Sequence, residues 1–336
     1  MSILNNLAII FAGSDGSTAD NISSVIGKGK TKDEIIEKYV SLIKYYKVFK
    51  DSDLGHIYYK SLLLSDEQLN SSFDKVLQKF DTDYKQLGFA DDIIKDVNHF
   101  VSSKTNNQIS NIITKNDIIS KEESITIVDA LYVDHEWDNP FTSKSSFTFS
   151  EPPFEPNCVR ENPAMSRLTE NEEWNLTEGE NWKCLGIPYK GRKTWLHILL
   201  PNKDSGFNEL IKNFDAKILK QCIAKKVVGK MKIIIPAFEI ENKISLNQIL
   251  AKLGINQTGI KKPFYKYLTR EEREKLAEEQ GYETCSYEEW VQSEIVDENE
   301  EKIEEFIADH PFIYFITLVK DSVEDLKSIV AMGKFC

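Results

Sequence analysis

The chain has 336 residues, 41% hydrophobic and 29% charged, enough to bury a core in one large domain or two ordinary ones. With 15 Gly and 10 Pro it is neither collagen-like nor low-complexity, and no apolar run approaches the ~18 residues a membrane-spanning helix needs. The formal charge of −12 argues against a nucleic-acid binder, and the excess sits in one place: residues 271–305 hold 15 Asp/Glu against 3 Lys/Arg, leaving 39 of each sign elsewhere.

The first predicted element is a short apolar helix over residues 3–11, ending at Ala12-Gly13. It lacks a basic leading region, so a buried helix is favoured over a signal peptide. Residues 32–48 give the clearest amphipathic pattern. Thr31 and Glu34 stand at capping-box spacing, and Ile35, Ile36, Tyr39, Leu42, Ile43 and Tyr46 recur at helical intervals. Further helices are expected over 66–80, 90–103, 207–224 and 245–253, the last stopped by Gly254. Strands are expected over 125–133, over 183–188 and 194–200 flanking Lys190-Gly191 as a hairpin, and over 231–240, 311–319 and 328–335. Helices come mainly first and strands mainly later, without regular strand–helix alternation. That order favours a single mixed α+β domain.

Chemistry-bearing motifs are scarce. The five cysteines form no CxxC pair, which suits a reducing compartment where Cys behaves as a small hydrophobe. The sequence contains no glycine-rich nucleotide loop, no HExxH and no GxSxG. In Asp134-His135-Glu136 the two acids share one strand face and the histidine takes the other, the pattern of a solvated strand end. Pairs such as Glu288-Glu289 and Glu304-Glu305 lie in the acidic run and read as a solvated face. No enzyme and no cofactor are expected.

Several strings, in order, resemble one family, the serpins (the serine protease inhibitor superfamily). Leu7-Ala8-Ile9-Ile10-Phe11-Ala12-Gly13 with Asp15 to Ile22 is similar to its early buried helix and the turn that follows. Val97-Asn98-His99-Phe100-Val101, with Thr105 and Ile109, resembles a family helix segment. Ile127-Val128-Asp129-Ala130-Leu131-Tyr132-Val133, followed by Trp137 and Phe141, looks like a family strand in which Asp129 replaces the usual Asn. Ile187-Pro188-Tyr189-Lys190-Gly191 with Ile198-Leu199-Leu200-Pro201 matches the family hairpin. Pro236 and Phe238, then Asp309-His310-Pro311-Phe312, and finally Met332-Gly333-Lys334 complete the series. The resemblance implies a serpin-like α+β domain over residues 1–336, with several helices packed on three mainly antiparallel sheets. The chain starts at what resembles the family's second helix, so the first helix is expected to be lacking.

Family members inhibit by sacrifice: an exposed loop is cut, and its first half inserts as a new strand in a large sheet. Insertion needs roughly 15 residues at about 3.3 Å each. It also needs small hinge residues, because alternate side chains enter a closed core. The hinge-equivalent residues here are Asn299, Glu300 and Glu301, and only six residues separate them from Ala308-Asp309-His310. Upstream, 268–305 reads as an acidic, helix-prone insertion. Thr269 with Glu272 and Ser286 with Glu289 have capping-box spacing, and Gly281 supplies a stop.

The expected function is therefore that of a loop-defective, non-inhibitory family member acting by protein binding if at all. The alternative is an inhibitor of serine or cysteine proteases with its bait within 268–307, Arg270 or Arg273 being the candidates for trypsin-like enzymes. A protein partner, a protease under the alternative, is expected, with no nucleic acid, no membrane and a monomeric state. For Asp129, the expected arrangement is a carboxylate paired with a nearby backbone donor. The expected location is cytoplasmic, or extracellular if a signal segment precedes this chain.

Overall fold

The computed structural model describes residues 2–47, 56–65, 68–69, 71–86, 90–114, 125–150, 159–170, 174–202, 206–227, 229–238 and 304–336. The candidate residues Arg270, Arg273, Asn299, Glu300 and Glu301, the acidic segment up to residue 303, and the helix expected over 245–253 lie outside them.

The chain opens with three helices, α1 (Ser2–Gly13), α2 (Gly16–Ile26) and α3 (Lys32–Lys47). They share one core in which Leu7, Ile9, Ile22, Ile35 and Tyr39 are buried. The capping box of α3 forms as its spacing requires. The Thr31 amide donates to Glu34 Oε2 at 2.8 Å, and the Glu34 amide donates to Thr31 Oγ1 at 3.3 Å. These bonds also hold the Glu34 carboxyl below its ordinary range. The stretch after Gly13, expected as a turn, instead builds α2. Its Ile22 and Ile26, one turn apart, reach the shared core.

Strand β1 (His56–Ser65) follows, then α4 (Ser71–Lys79), β2 (Thr82–Gln86), α5 (Ala90–Lys104) and β3 (Ile125–Asp134). The three strands form a sheet in the order β2-β1-β3, with β1 parallel to β2 and antiparallel to β3. Its two faces divide by residue parity. Leu62, Leu64, Val128 and Ala130 pack under α5, whereas Leu63, Tyr59 and Ile127 join the α1–α3 core.

Among the described residues the rest of the chain is mostly strands: β4 (Ser143–Ser150), β5 (Val159–Thr169), β6 (Asn175–Glu178), β7 (Trp182–Pro188), β8 (Thr194–Pro201), β9 (Met231–Pro236), β10 (Glu304–Ile307), β11 (Phe312–Val319) and β12 (Leu326–Phe335). They form one sheet ordered β10-β9-β5-β4 and another ordered β12-β11-β8-β7-β6. Every residue of β8 is buried because the five-stranded sheet is covered on both faces. Leu196, Ile198 and Leu200 meet Met231, Ile233 and Ile235 of β9. Leu199 and Cys184 face Leu210 of α6 (Phe207–Asn213) and Cys222 of α7 (Ala216–Cys222). The α+β class, a mixed fold of helices on three sheets, is as the sequence implies.

Two readings need correction. The helix expected over 207–224 is two helices, because Asp215 Oδ1 accepts from the amides of Lys217 and Ile218, both at 2.9 Å, and so starts α7 afresh. The end of the acidic run is not helical either. Glu304–Ile307 is β10, held parallel to β9 with Phe306 fully buried, while Glu304 and Glu305 stay exposed and Glu305 pairs with Lys232 at 3.2 Å. One buried aromatic side chain in four residues outweighs the helical leaning of the glutamates.

Candidate functional site

Strand β3 has β1 on one side and, among the described residues, no strand on the other. The described residues singled out by motif gather around this strand, at its far end, and at the β10–β11 junction.

The far end of β3 runs into an aromatic stack. Trp137 lies face to face with Tyr189 at 4.6 Å and 11°, and Phe141 meets Trp137 edge-on at 5.5 Å and Trp174 at 5.7 Å. Backbone bonds hold the stack in place: Asp138 donates to Pro188 O at 3.1 Å and Lys190 to Glu136 O at 2.9 Å. Ion pairs flank them, Lys190 with Glu136 at 2.8 Å and Arg192 with Asp138 at 2.9 Å. Gly191 at φ 79° gives the β7–β8 connection the left-handed step that a side chain resists. His135 turns inward, its ring 5.2 Å from Tyr189 and its Nδ1 3.3 Å from Thr194 Oγ1, while Asp134 and Glu136 are exposed. That is the alternation expected of a strand end.

At the other junction, His310 sits between two oxygens, Asp309 Oδ1 and Pro201 O, each 2.7 Å away. The carbonyl only accepts, so Nε2 donates to it and ties the β10–β11 turn to the end of β8. Pro311 is buried beside it. Phe312 opens β11 fully buried and stacks with Phe335 at 5.2 Å and 21°, with Phe238 5.9 Å away. Pro236 ends β9, and Gly333 lies opposite Tyr314, where a Cβ would come within 2.3 Å of the Tyr314 hydroxyl.

Asn98 on α5 and Thr105, the residue just past its end, stand apart from both junctions. Asn98 Nδ2 donates to Ile113 O at 2.9 Å and its Oδ1 accepts from the Ile113 amide at 3.0 Å. The buried Thr105 hydroxyl donates to Val101 O at 2.8 Å and accepts from the Ile109 amide at 3.1 Å. Together they pin residues 105–114 onto the helix covering the three-stranded sheet. Asn98→Ala is expected to cost about 1–2 kcal/mol, because two backbone groups lose their partner. Urea unfolding with an unchanged m value, and faster hydrogen exchange at the Ile113 amide, check it.

Asp129 lies opposite Ser61 in the β1–β3 ladder, and the expected backbone donor is not what it finds. Ser61 Oγ donates to its Oδ1 at 2.6 Å and the Tyr59 hydroxyl approaches the same oxygen at 3.4 Å. On a strand, backbone donors point along the sheet, so a side chain aimed at α1 meets hydroxyls from the neighbouring strand. The residue as a whole is half-buried, yet its Oδ2 is sealed from solvent. The carboxyl is the part that titrates, so burial governs and pushes it up to about 7. Tyr59 and Ser61 carried no signal of their own, because the apolar Leu62-Leu63-Leu64 run hides the alternation of β1.

Two other buried groups serve packing. His197 stacks on Phe315 at 4.7 Å, bonds Thr317 Oγ1 at 2.9 Å, and is pushed by burial down to about 3, so it is neutral. Cys184 and Cys222 are buried in one cluster, and burial pushes the Cys184 thiol well up. Among the described residues no three His, Cys, Asp or Glu side chains gather as a metal site, and no helix is long and apolar enough to cross a membrane.

A family model described as Serpin (serine protease inhibitor) matches residues 1–264. The chain is 23% identical to Serpin B4 of Homo sapiens, aligning over 100% of this chain and 91% of that protein. It is 25% identical to Serine proteinase inhibitor 2 of Monkeypox virus, over 100% of this chain and 92% of the relative. Among solved structures, uncleaved ovalbumin superposes with a TM-score of 0.75 at 17% identity, covering 99% of this chain and 90% of ovalbumin. The native stressed conformation of Arabidopsis AtSerpin1 also gives 0.75, at 20% identity, over 99% and 89%.

Proposed function

The chain belongs to the serpin family, and from that premise we propose that it keeps the protease-inhibitor fold but acts by binding a protein partner rather than by trapping a protease. One observation carries the reading. Strand β10 begins at Glu304, so only Lys302 and Ile303 separate it from the hinge-equivalent Asn299, Glu300 and Glu301. A loop that crosses a sheet needs roughly 15 residues, some 50 Å of strand. Composition points the same way. An inserting strand drawn from 268–296 would carry Glu, Arg, Lys and Gln side chains into the sheet's core, and each unpaired buried charge costs several kcal/mol.

Residues 1–336 form one domain on this reading, monomeric and carrying an acidic helix-prone insertion from about 268 to β10. The net −12 of residues 271–305 steers association toward a basic protein surface. No catalytic group and no cofactor enter the action. Buried free thiols such as Cys184 and Cys222, neighbours that are not joined as a disulfide, fit a reducing compartment, hence the cytoplasm.

The names of relatives such as Serine proteinase inhibitor 2 favour a second reading, in which Arg270 or Arg273 is bait for a trypsin-like enzyme. One assay decides between them. The protein is incubated with a panel of serine and cysteine proteases and run on a denaturing gel. The expected result is cleavage fragments only. A denaturant-resistant band at the summed mass of protein and protease would establish trapping.

A further inference from the structure

Beneath the β1–β3 ladder, side chains from three elements form a buried relay that runs one way. Asn5 Nδ2 on α1 donates to the Tyr59 hydroxyl at 2.6 Å, Tyr59 lies 2.8 Å from Ser61 Oγ, and Ser61 donates to Asp129 Oδ1 at 2.6 Å. The arrangement is short of hydrogens. Asn5 Oδ1, Asn6 Oδ1 and Asp129 Oδ2 are all buried and accept no hydrogen bond. Asn5 is 1% exposed and Asn6 8%, so water does not supply the missing donors from the surface. A proton on Asp129 removes the charge from a carboxyl whose second oxygen has no donor.

We propose that the Asp129 carboxyl is a proton-dependent latch between β3 and α1, closed while it carries a proton and loosened when it ionises. The ionised form is a buried negative charge that accepts from Ser61 and Tyr59 and, among the described residues, has no cationic side chain as a partner. Among the described residues the other titratable side chain facing it is Tyr59 on β1, whose hydroxyl is itself pushed well up by burial and by the Asp129 charge. From α1 come only the neutral amides, of which Asn6 draws the carboxyl slightly down without closing a hydrogen bond of normal geometry. The positive amino terminus acts in the same downward sense and is the weakest influence. On the sheet's opposite face, α5 presents apolar side chains to Val128 and Ala130.

The sign follows from where the proton sits. Burial first, against the Ser61 and Tyr59 bonds, raises the folded carboxyl from 3.8 to about 7. Below the ordinary value both folded and unfolded chains are protonated and the latch's stability is fully present. It is lost as pH rises toward about 7, where the folded chain ionises too, and is level above that. The folding constant therefore falls by up to about tenfold per pH unit across this window.

The test compares the full-length protein with Asp129→Asn, which keeps the shape and cannot ionise. Melting temperatures are taken from pH 5 to 8.5, with hydrogen exchange corrected for its intrinsic rate. The wild type is expected to lose several degrees that the variant keeps, and to open faster at β1, β3 and α1 amides above pH 7. Should the variant fold poorly, carbon-13 spectra of aspartate carboxyls in the wild type decide: one resonance with a midpoint near 7 supports the latch. Parallel pH profiles for the two proteins, or every aspartate titrating below pH 5, would overturn it.

Discussion

Phe312→Ala is expected to lower stability by about 3–5 kcal/mol, because the ring is fully buried and its removal leaves a cavity the surroundings fill only in part. The ring is held on several sides. Phe335 stacks against it, Phe238 closes another edge, and Ile233, Ile235 and Phe306 belong to the same cluster. The His310 bond to Pro201 fixes the backbone two residues earlier, so β11 cannot slide to fill the space. At a few degrees per kcal/mol for a large domain, the melting temperature should fall roughly 10 °C. Phe238→Ala is the internal comparison. Its ring is half-buried, and its loss should cost about half as much. Equal effects, or a Phe312→Ala protein melting within 2 °C of the parent, would show that this junction is not the packing centre described.

How much of this was legible without coordinates depended on the element. The β7–β8 hairpin could be read because apolar runs flank Lys190-Gly191, and Gly191 supplies the first of the two positive φ angles the turn uses, Arg192 the second. The start of α3 was equally plain, since Thr31 and Glu34 satisfy each other locally. Elements whose reason to exist lies far away in sequence were harder. Strand β10 has a helix former's composition and becomes a strand only because β9, some seventy residues earlier, offers an edge and a pocket for Phe306. Strand β1 was hidden because both its faces are covered, α5 on one and α1 on the other, so its apolar residues do not alternate.

The motif residues divide in the same way. Trp137, Phe141 and Tyr189, about fifty positions apart, do meet in one stack. The departure at Asp129 was visible as a residue type, but its consequence was not. Only the fold places Asn5, Asn6, Tyr59 and Ser61 around that carboxyl, and none of the four carries a spacing that points to another.

The central claim is that this serpin-family chain lacks a loop able to insert, and cleavage tests it most directly. A Glu-specific protease should cut within 271–303, where acidic residues are dense, before it cuts at Glu239, the first glutamate after β9. In an insertion-competent protein such a cut releases a strand into the central sheet. The ladder hydrogen bonds and buried side chains it adds amount to many kcal/mol, seen as a rise of tens of degrees in melting temperature. Here the stretch after Glu301 is two residues long before β10, and the segment upstream is too charged to enter a sheet. The cut protein is therefore expected to melt within a few degrees of the intact one. A rise of 20 °C or more, with resistance to further digestion, would contradict the account.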